Sequence, residues 1–310
     1  MARVFGNITE LIGSTPLVRL SKYAEACGLR YAPLAKLEGM NPAGSVKDRT
    51  ALFMINDAEQ RGVLREGGTI VEPTSGNTGV GLAMIGRVKG YKVILTMPDT
   101  MSQERINLLR AYGAEVILTK GEEGMTGSIQ KAEELERTTE GAVILSQFDN
   151  PSNPESHYQT TAEEILADTD GNIDAFIAGI GTGGTLCGTA RKLKEKKDIY
   201  IIGVEPASSP MITEGRSGQH KLQGIGANFV PANYNPQVVD EVMPITNEDA
   251  ISAARMLRDT EGILCGFSGG AALAAAKKVL ERENGQKKIR NVVVLLPDGG
   301  ERYLSTELYR

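Results

Sequence analysis

Three short stretches carry side chains suited to chemistry, and each lies where a helix should start. The first is Asn41-Pro-Ala-Gly-Ser-Val-Lys-Asp-Arg49. Ser45, with Asp48 three residues on, has the spacing of a capping box, which predicts a helix start. Lys47 then falls in the first turn, beside the positive end of the helix dipole. That field favours the neutral amine, and a lysine of lowered pKa can act as nucleophile, Schiff-base former or base. A solvated surface lysine is the plainer alternative. The second is Glu72-Pro-Thr-Ser-Gly-Asn-Thr-Gly79, joining a strand to a helix that starts near Asn77. Hydroxyl, amide and backbone N–H donors converge there, the makings of an anion site. A plain turn capped by Ser or Asn would need fewer donors. The third is Gly179-Ile-Gly-Thr-Gly-Gly-Thr185. It fits G-x-G-x-x-G at Gly179, Gly181 and Gly184, and Glu205 follows about 20 residues later, as in a dinucleotide site. A phosphate monoester held by backbone N–H groups, Thr182 and Thr185 is the other reading. No Lys-Ser/Thr follows the glycines, which excludes a Walker A loop.

These turns need elements to hold them. Strands are expected at Thr69–Glu72, Lys92–Met97, Glu115–Thr119, Ala142–Leu145, Asp174–Ala178, Tyr200–Val204 and Asn291–Leu296. Most are unbroken apolar runs, the pattern of strands covered on both faces. Between them, helical faces are predicted from Ala51, Met54, Ile55 and Ala58, from Val80, Ala83, Met84 and Val88, and from Leu186, Ala190 and Leu193. An Ala-rich helix should occupy Gly270 to Leu280. Strand–helix alternation implies an α/β fold with parallel, doubly wound sheets, whose ligands sit at the carboxyl ends of the strands. A domain boundary is expected near Phe148–Pro154, where Asn and Pro crowd. Asn153 should cap the helix beyond it, with Pro154 in its first position.

Composition narrows the classes. A chain of 310 residues suggests two domains or one large α/β unit. The net charge of −5 gives no footprint for nucleic acid or an anionic membrane. Cys27, Cys187 and Cys265 lie far apart and form no disulfide framework or metal motif. With only His157 and His220, no metal centre is expected. The start lacks a signal-peptide pattern, and no apolar run reaches the ~20 residues of a membrane span. A soluble cytoplasmic protein is the expectation. The 36 glycines exceed the usual share and cluster in a few loops.

A phosphate cradle, a second anion site and a helix-start lysine fit one cofactor together: pyridoxal 5′-phosphate (PLP), with its phosphate, its aldehyde, and amino acid substrates bearing a carboxylate. Motifs from end to end bear this out as a resemblance. They are IGSTPLVRL (Ile12–Leu20), KLEGMNPAGSVKDR (Lys36–Arg49), EPTSGNTG (Glu72–Gly79), MPDTMSQER (Met97–Arg105), QFDNPSNPESHY (Gln147–Tyr158), GTGGT (Gly181–Thr185), KLQGIGANF (Lys221–Phe229), GFSGGAA (Gly266–Ala272) and ERYLST (Glu301–Thr306). The chain resembles the cysteine synthase (O-acetylserine sulfhydrylase) family of fold-type II PLP enzymes, whose fold is like that of the tryptophan synthase β chain.

The resemblance implies two doubly wound domains with parallel-rich twisted sheets, 1–150 and 151–310, with about 13–40 packing on the second. It implies that Lys47 is the Schiff-base lysine and the base for the substrate Cα proton. Thr74, Ser75, Gly76, Asn77 and Thr78 would bind the substrate carboxylate with help from Gln147, and Asn77 would also reach the cofactor's 3′-oxygen. Gly181, Thr182, Gly183, Gly184 and Thr185 would hold the phosphate, and Ser268 would meet the pyridine nitrogen. A neutral hydroxyl there makes the ring a weaker electron sink than a carboxylate would, which favours β-elimination over aminotransfer. The implied reaction replaces the acetate of O-acetyl-L-serine with sulfide, by way of an aminoacrylate, to give L-cysteine. Residues about 93–137 would close on the carboxylate and exclude water. A homodimer is implied, as is docking of the C-terminal tail of serine acetyltransferase.

Some positions depart from the family. Asn228 stands where Gly is usual, in a loop that with Gly226 faces the active-site entrance, so an effect on the choice of nucleophile is expected beside a simple turn role. Gly269 stands where a second Ser is usual and should only loosen a helix start. His157 is read as structural, Cys187 and Cys265 as buried fillers. The open alternatives are homocysteine as acceptor, a cystathionine β-synthase activity, and release of sulfide from cysteine. An NAD-dependent oxidoreductase using Gly179–Gly184 and Glu205 is the distant one.

Overall fold

The computed structural model describes residues 4–282 and 289–310. Ten strands are described: β1 Leu17–Arg19, β2 Leu34–Leu37, β3 Thr69–Pro73, β4 Lys92–Pro98, β5 Glu115–Thr119, β6 Ala142–Ile144, β7 Ala175–Gly179, β8 Tyr200–Pro206, β9 Glu241–Ile245 and β10 Val292–Leu296. The α-helices are α1 Ser21–Ala26, α2 Lys47–Gln60, α3 Asn77–Lys89, α4 Gln103–Ala111, α5 Gly124–Thr138 and α6 Ser152–Ser156. They continue with α7 Ala162–Asp168, α8 Gly184–Lys196, α9 Met211–Glu214, α10 Asn247–Glu261 and α11 Phe267–Glu281. The chain forms two compact units, one of Met1–Ile12 with Asn41–Asn153, the other of Gly13–Met40 with Pro154–Arg310.

The sheet of the first unit has the order β5-β4-β3-β6, and every pair is parallel. Its inner strand β3 is buried along Thr69–Glu72 because both faces are covered. Met54 and Ile55 of α2 join Val80, Ala83 and Met84 of α3 in one core, while Ala132 of α5 meets Val71 and Ile94 in another. Of the expected stripe of α3, Val80, Ala83 and Met84 are buried, while Val88 is 43% exposed and Ile85 is buried in its stead.

In the second unit the order is β1-β2-β10-β7-β8-β9. All pairs are parallel except β1 with β2. Ile177, Ile202 and Val294 from the sheet share a core with Ala254 and Leu257 of α10 and Ala271 and Ala275 of α11. The alanines and Gly270 allow close crossing: a methyl on Gly270 would collide with the Ala250 carbonyl of α10. Among the described residues no helix is long and apolar enough to cross a membrane.

Three strands carried no sequence expectation. β1 is only three residues long. In β2 the charge of Lys36 hid a buried strand, since its amine pairs with Glu164 at 2.8 Å and donates to the Thr15 carbonyl. β9 contains Pro244, which an edge strand tolerates. The expected helix after the boundary begins earlier than predicted, at Ser152, so Asn153 and Pro154 lie within it. Its N-terminal cap is Asn150, whose Oδ1 accepts from Ser152 N–H at 2.9 Å.

Candidate active site

In the first unit, α2 opens at Lys47, as predicted, but without a capping box. Ser45 Oγ accepts from the Lys47 N–H at 3.2 Å, and Asp48 Oδ2 accepts from the Ala43 N–H at 2.6 Å. The acid thus ties down the approach to the helix. Lys47 itself is half-buried. Gly81 of α3 lies against α2: a methyl there would sit 3.2 Å from the Lys47 carbonyl oxygen and 3.1 Å from Ala51 Cβ. A larger residue would push the lysine's helix away.

α3 opens at Asn77 with Gly76 before it, and no acidic residue lies in its first turn. The first N–H groups of such a helix have no intrahelical acceptor, which leaves an anion site. Thr74 is 5% and Thr78 2% exposed, while Ser75, Gly76 and Asn77 are half-buried. Thr74 Oγ1 accepts from the Gly76 N–H at 3.2 Å. Thr78 Oγ1 donates to Gln147 Oε1 at 2.6 Å, so the predicted Gln147 does join the turn. Arg105 Nη1 donates to the Ser75 carbonyl at 3.1 Å. The Gln147 backbone is held as well, its carbonyl accepting from Asn153 Nδ2 at 2.7 Å, and Asn153 Oδ1 accepts from Thr50 of α2 at 3.2 Å.

In the second unit, the glycine turn leads from β7 into α8, which starts at Gly184, again with no acid in its first turn. Gly183 has φ +81°, and a methyl on it would lie 2.8 Å from the Tyr234 N. A methyl on Gly181 would collide with the Gly224 carbonyl. Both glycines are therefore required by backbone that presses on the turn. Thr182 and Thr185 are 4% and 8% exposed. Ser268, 3% exposed, is the second residue of α11, and a methyl on Gly224 would lie 3.5 Å from its hydroxyl. The turn, Gly224 and Ser268 thus form one neighbourhood.

His157, read as structural from the sequence, is so, though the sequence did not show which residue it serves. It is fully buried and opens a single π-helical turn, His157–Thr161. Its Nδ1 lies 2.9 Å from Thr161 Oγ1 and its Nε2 3.2 Å from Thr185 Oγ1. The imidazole thus orients the last threonine of the glycine turn. His157→Ala is expected to lower stability by about 1–3 kcal/mol through the hydroxyls it strands. Urea unfolding checks this, and phosphate retention should fall with it.

Glu205 does not serve a ribose. Its carboxylate is 2% exposed and accepts from the N–H groups of Ile212 and Thr213 at 2.8 and 3.2 Å and from the Thr213 hydroxyl. That occupation removes the acid a dinucleotide site needs. Asn228 has φ +63°, the left-handed region that suits the usual Gly, and its Oδ1 accepts from the buried Ser209 hydroxyl at 3.0 Å. The turn role is therefore the one visible. Gly226, φ +70°, is braced by His220, whose Nε2 lies 3.1 Å from the Gly226 carbonyl. Gly269 does more than loosen its helix: a methyl there would sit 3.0 Å from Cys265 Cβ. Burial pushes the Cys187 and Cys265 thiols up to about 11 and about 12, as suits inert fillers.

The donor sets suit one class of enzyme. Two helix starts free of acid, with hydroxyls beside them, suit a phosphate ester and a carboxylate, and a helix-start lysine suits an aldehyde. Groups of these kinds on open α/β sheets suit an enzyme of amino acid chemistry that uses an aldehyde-bearing phosphate cofactor. Comparison with known proteins agrees. The family model described as "Pyridoxal-phosphate dependent enzyme" matches residues 8–298. Cysteine synthase A of Escherichia coli (strain K12) is 51% identical over 319 aligned positions, covering 100% of this chain and 97% of that protein. The crystal structure of cysteine synthase (OASS) from Entamoeba histolytica superposes with a TM-score of 0.94 at 44% identity, covering 99% of this chain and 91% of that one. A hydrogen sulfide-producing enzyme from Fusobacterium nucleatum gives a TM-score of 0.92 at 46% identity, covering 98% and 99%. The chain belongs to the pyridoxal-phosphate dependent enzyme family, in its cysteine synthase branch.

Proposed function

We propose that this chain makes L-cysteine by replacing the acetate of O-acetyl-L-serine with sulfide. The observation that carries this is the 51% identity, over the whole chain, with a cysteine synthase. When bound, PLP supplies an aldehyde and an electron-withdrawing ring, which acidifies the substrate Cα–H and lets the β-substituent leave. Lys47 would hold the aldehyde, and its freed amine would take the substrate Cα proton and later return it. The N–H groups at the start of α3, with Thr74–Thr78 and Gln147, hold the substrate carboxylate. Gly181–Thr185 and the start of α8 hold the phosphate. Ser268 offers the ring nitrogen a neutral hydroxyl, which favours loss of a good leaving group over aminotransfer. Gly226 and Asn228 border the approach of the second substrate. Residues 93–137 close over the carboxylate and exclude water. The reading extends to a homodimer acting in the cytoplasm and to docking of the serine acetyltransferase tail.

A second reading, release of sulfide from L-cysteine, is favoured by the similarity to the hydrogen sulfide-producing enzyme. The same residues would carry it. The test uses purified, yellow holoenzyme. O-acetylserine should change its visible absorption, sulfide should restore it, and cysteine should accumulate. The kcat/KM with sulfide should exceed that with homocysteine by about tenfold or more. A preference for homocysteine, or faster sulfide release than cysteine formation, overturns the first reading.

A further inference from the structure

A buried acid stands two residues before the substrate turn with no part in the chemistry described above. Glu72 is the fourth residue of β3 and 1% exposed. Its carboxylate accepts three consecutive backbone N–H groups at the exit of β6. Oε2 takes those of Leu145 at 3.1 Å and Ser146 at 3.0 Å, and Oε1 takes that of Gln147 at 3.1 Å. Ser146 has φ +56°, the left-handed region that L side chains rarely adopt. The carboxylate therefore anchors a strained turn, and that turn presents Gln147 to Thr78.

We propose that Glu72 is a positioning residue for the substrate-carboxylate site, setting the place of Gln147 through its backbone N–H. This rests on the reading of Thr74–Thr78 and Gln147 as that site. The geometry makes the acid specific. Three donors need an acceptor-only group, which an ionised carboxylate is. A glutamine of the same shape has one oxygen and one NH₂ group. With its oxygen toward Leu145 and Ser146, its NH₂ faces the Gln147 N–H, donor against donor. That orientation strands one donor where the reverse would strand two. The loss thus falls on the residue that bonds Thr78.

The test uses the Glu72→Gln holoenzyme at pH 8, above the value of about 7 to which burial pushes this carboxyl. At saturating sulfide, the KM for O-acetylserine should rise about tenfold, while kcat stays within about twofold and the yellow absorption is unchanged. In a Gln147→Ala background the same substitution should change KM by less than about twofold, because the group through which it acts is gone. If Glu72→Gln alone does not fold, it is made with Ser146→Gly, which removes the strained φ, and the same KM comparison is read against Ser146→Gly. An unchanged KM overturns the proposal, and so does an equal rise in the Gln147→Ala background, which would mark a merely structural role. Failure of the underlying reading looks different: the wild-type enzyme itself would then give no spectral response to O-acetylserine.

Discussion

Lys47→Ala should abolish turnover, by about four orders of magnitude or more, because one amine is asked to hold the cofactor aldehyde and to move the Cα proton. The fold should survive. The bond that starts α2 runs from the Lys47 backbone to Ser45, so it does not need the lysine side chain. Alanine is also a strong helix former, and the half-buried side chain leaves no deep cavity. Circular dichroism should therefore match the wild type while activity vanishes. Borohydride treatment followed by mass spectrometry gives the sharper readout: the wild-type protein should carry its adduct on Lys47 and the variant should carry none. An adduct on another lysine of the wild-type protein, or substantial turnover by the variant, would sink the assignment.

The second large effect is expected at Gly181. A methyl there meets the backbone carbonyl of Gly224, which cannot swing aside as a side chain would. Either the glycine turn opens or the segment beginning at Gly224 is displaced. Overpacking of this kind costs about 3 kcal/mol at its upper range. Expressed as weaker cofactor binding, that is about a hundredfold. Gly181→Ala should purify colourless or bleach on dialysis, with its far-ultraviolet dichroism retained. Wild-type retention of PLP in this variant would show that the turn does not bear the phosphate.

The sequence was most legible where one residue type answers one local demand. Strand β3, the turn after it and the start of α3 at Asn77 all follow from an apolar run ending in donors and glycine. The glycine turn into α8 was legible for the same reason. What escaped depended on partners distant in the chain. Lys36 looks like a strand breaker until Glu164 neutralises it. His157 has one partner nearby in sequence, Thr161, but the one that ties it to the glycine turn, Thr185, lies 28 residues further on. Glu72 reads as the polar end of a strand. The signal was its place in TIVE, where a strand covered on both faces leaves an acid no water, so it must find donors. The helix starts near Ser45 and Asn153 were found, but not their hydrogen bonds, since a cap's partner depends on how the preceding loop folds back.

One feature of the second unit bears on redesign. The carbonyl of Gly224 abuts Gly181, while two residues further along His220 grips Gly226 and Ser209 holds Asn228. On the proposed roles, residues chosen to admit a bulkier thiol would share a backbone strut with those proposed to hold the vitamin. If those roles hold, libraries randomised at 224–228 to broaden acceptor range should shed coenzyme as a side effect, and should be screened with excess pyridoxal phosphate in the medium.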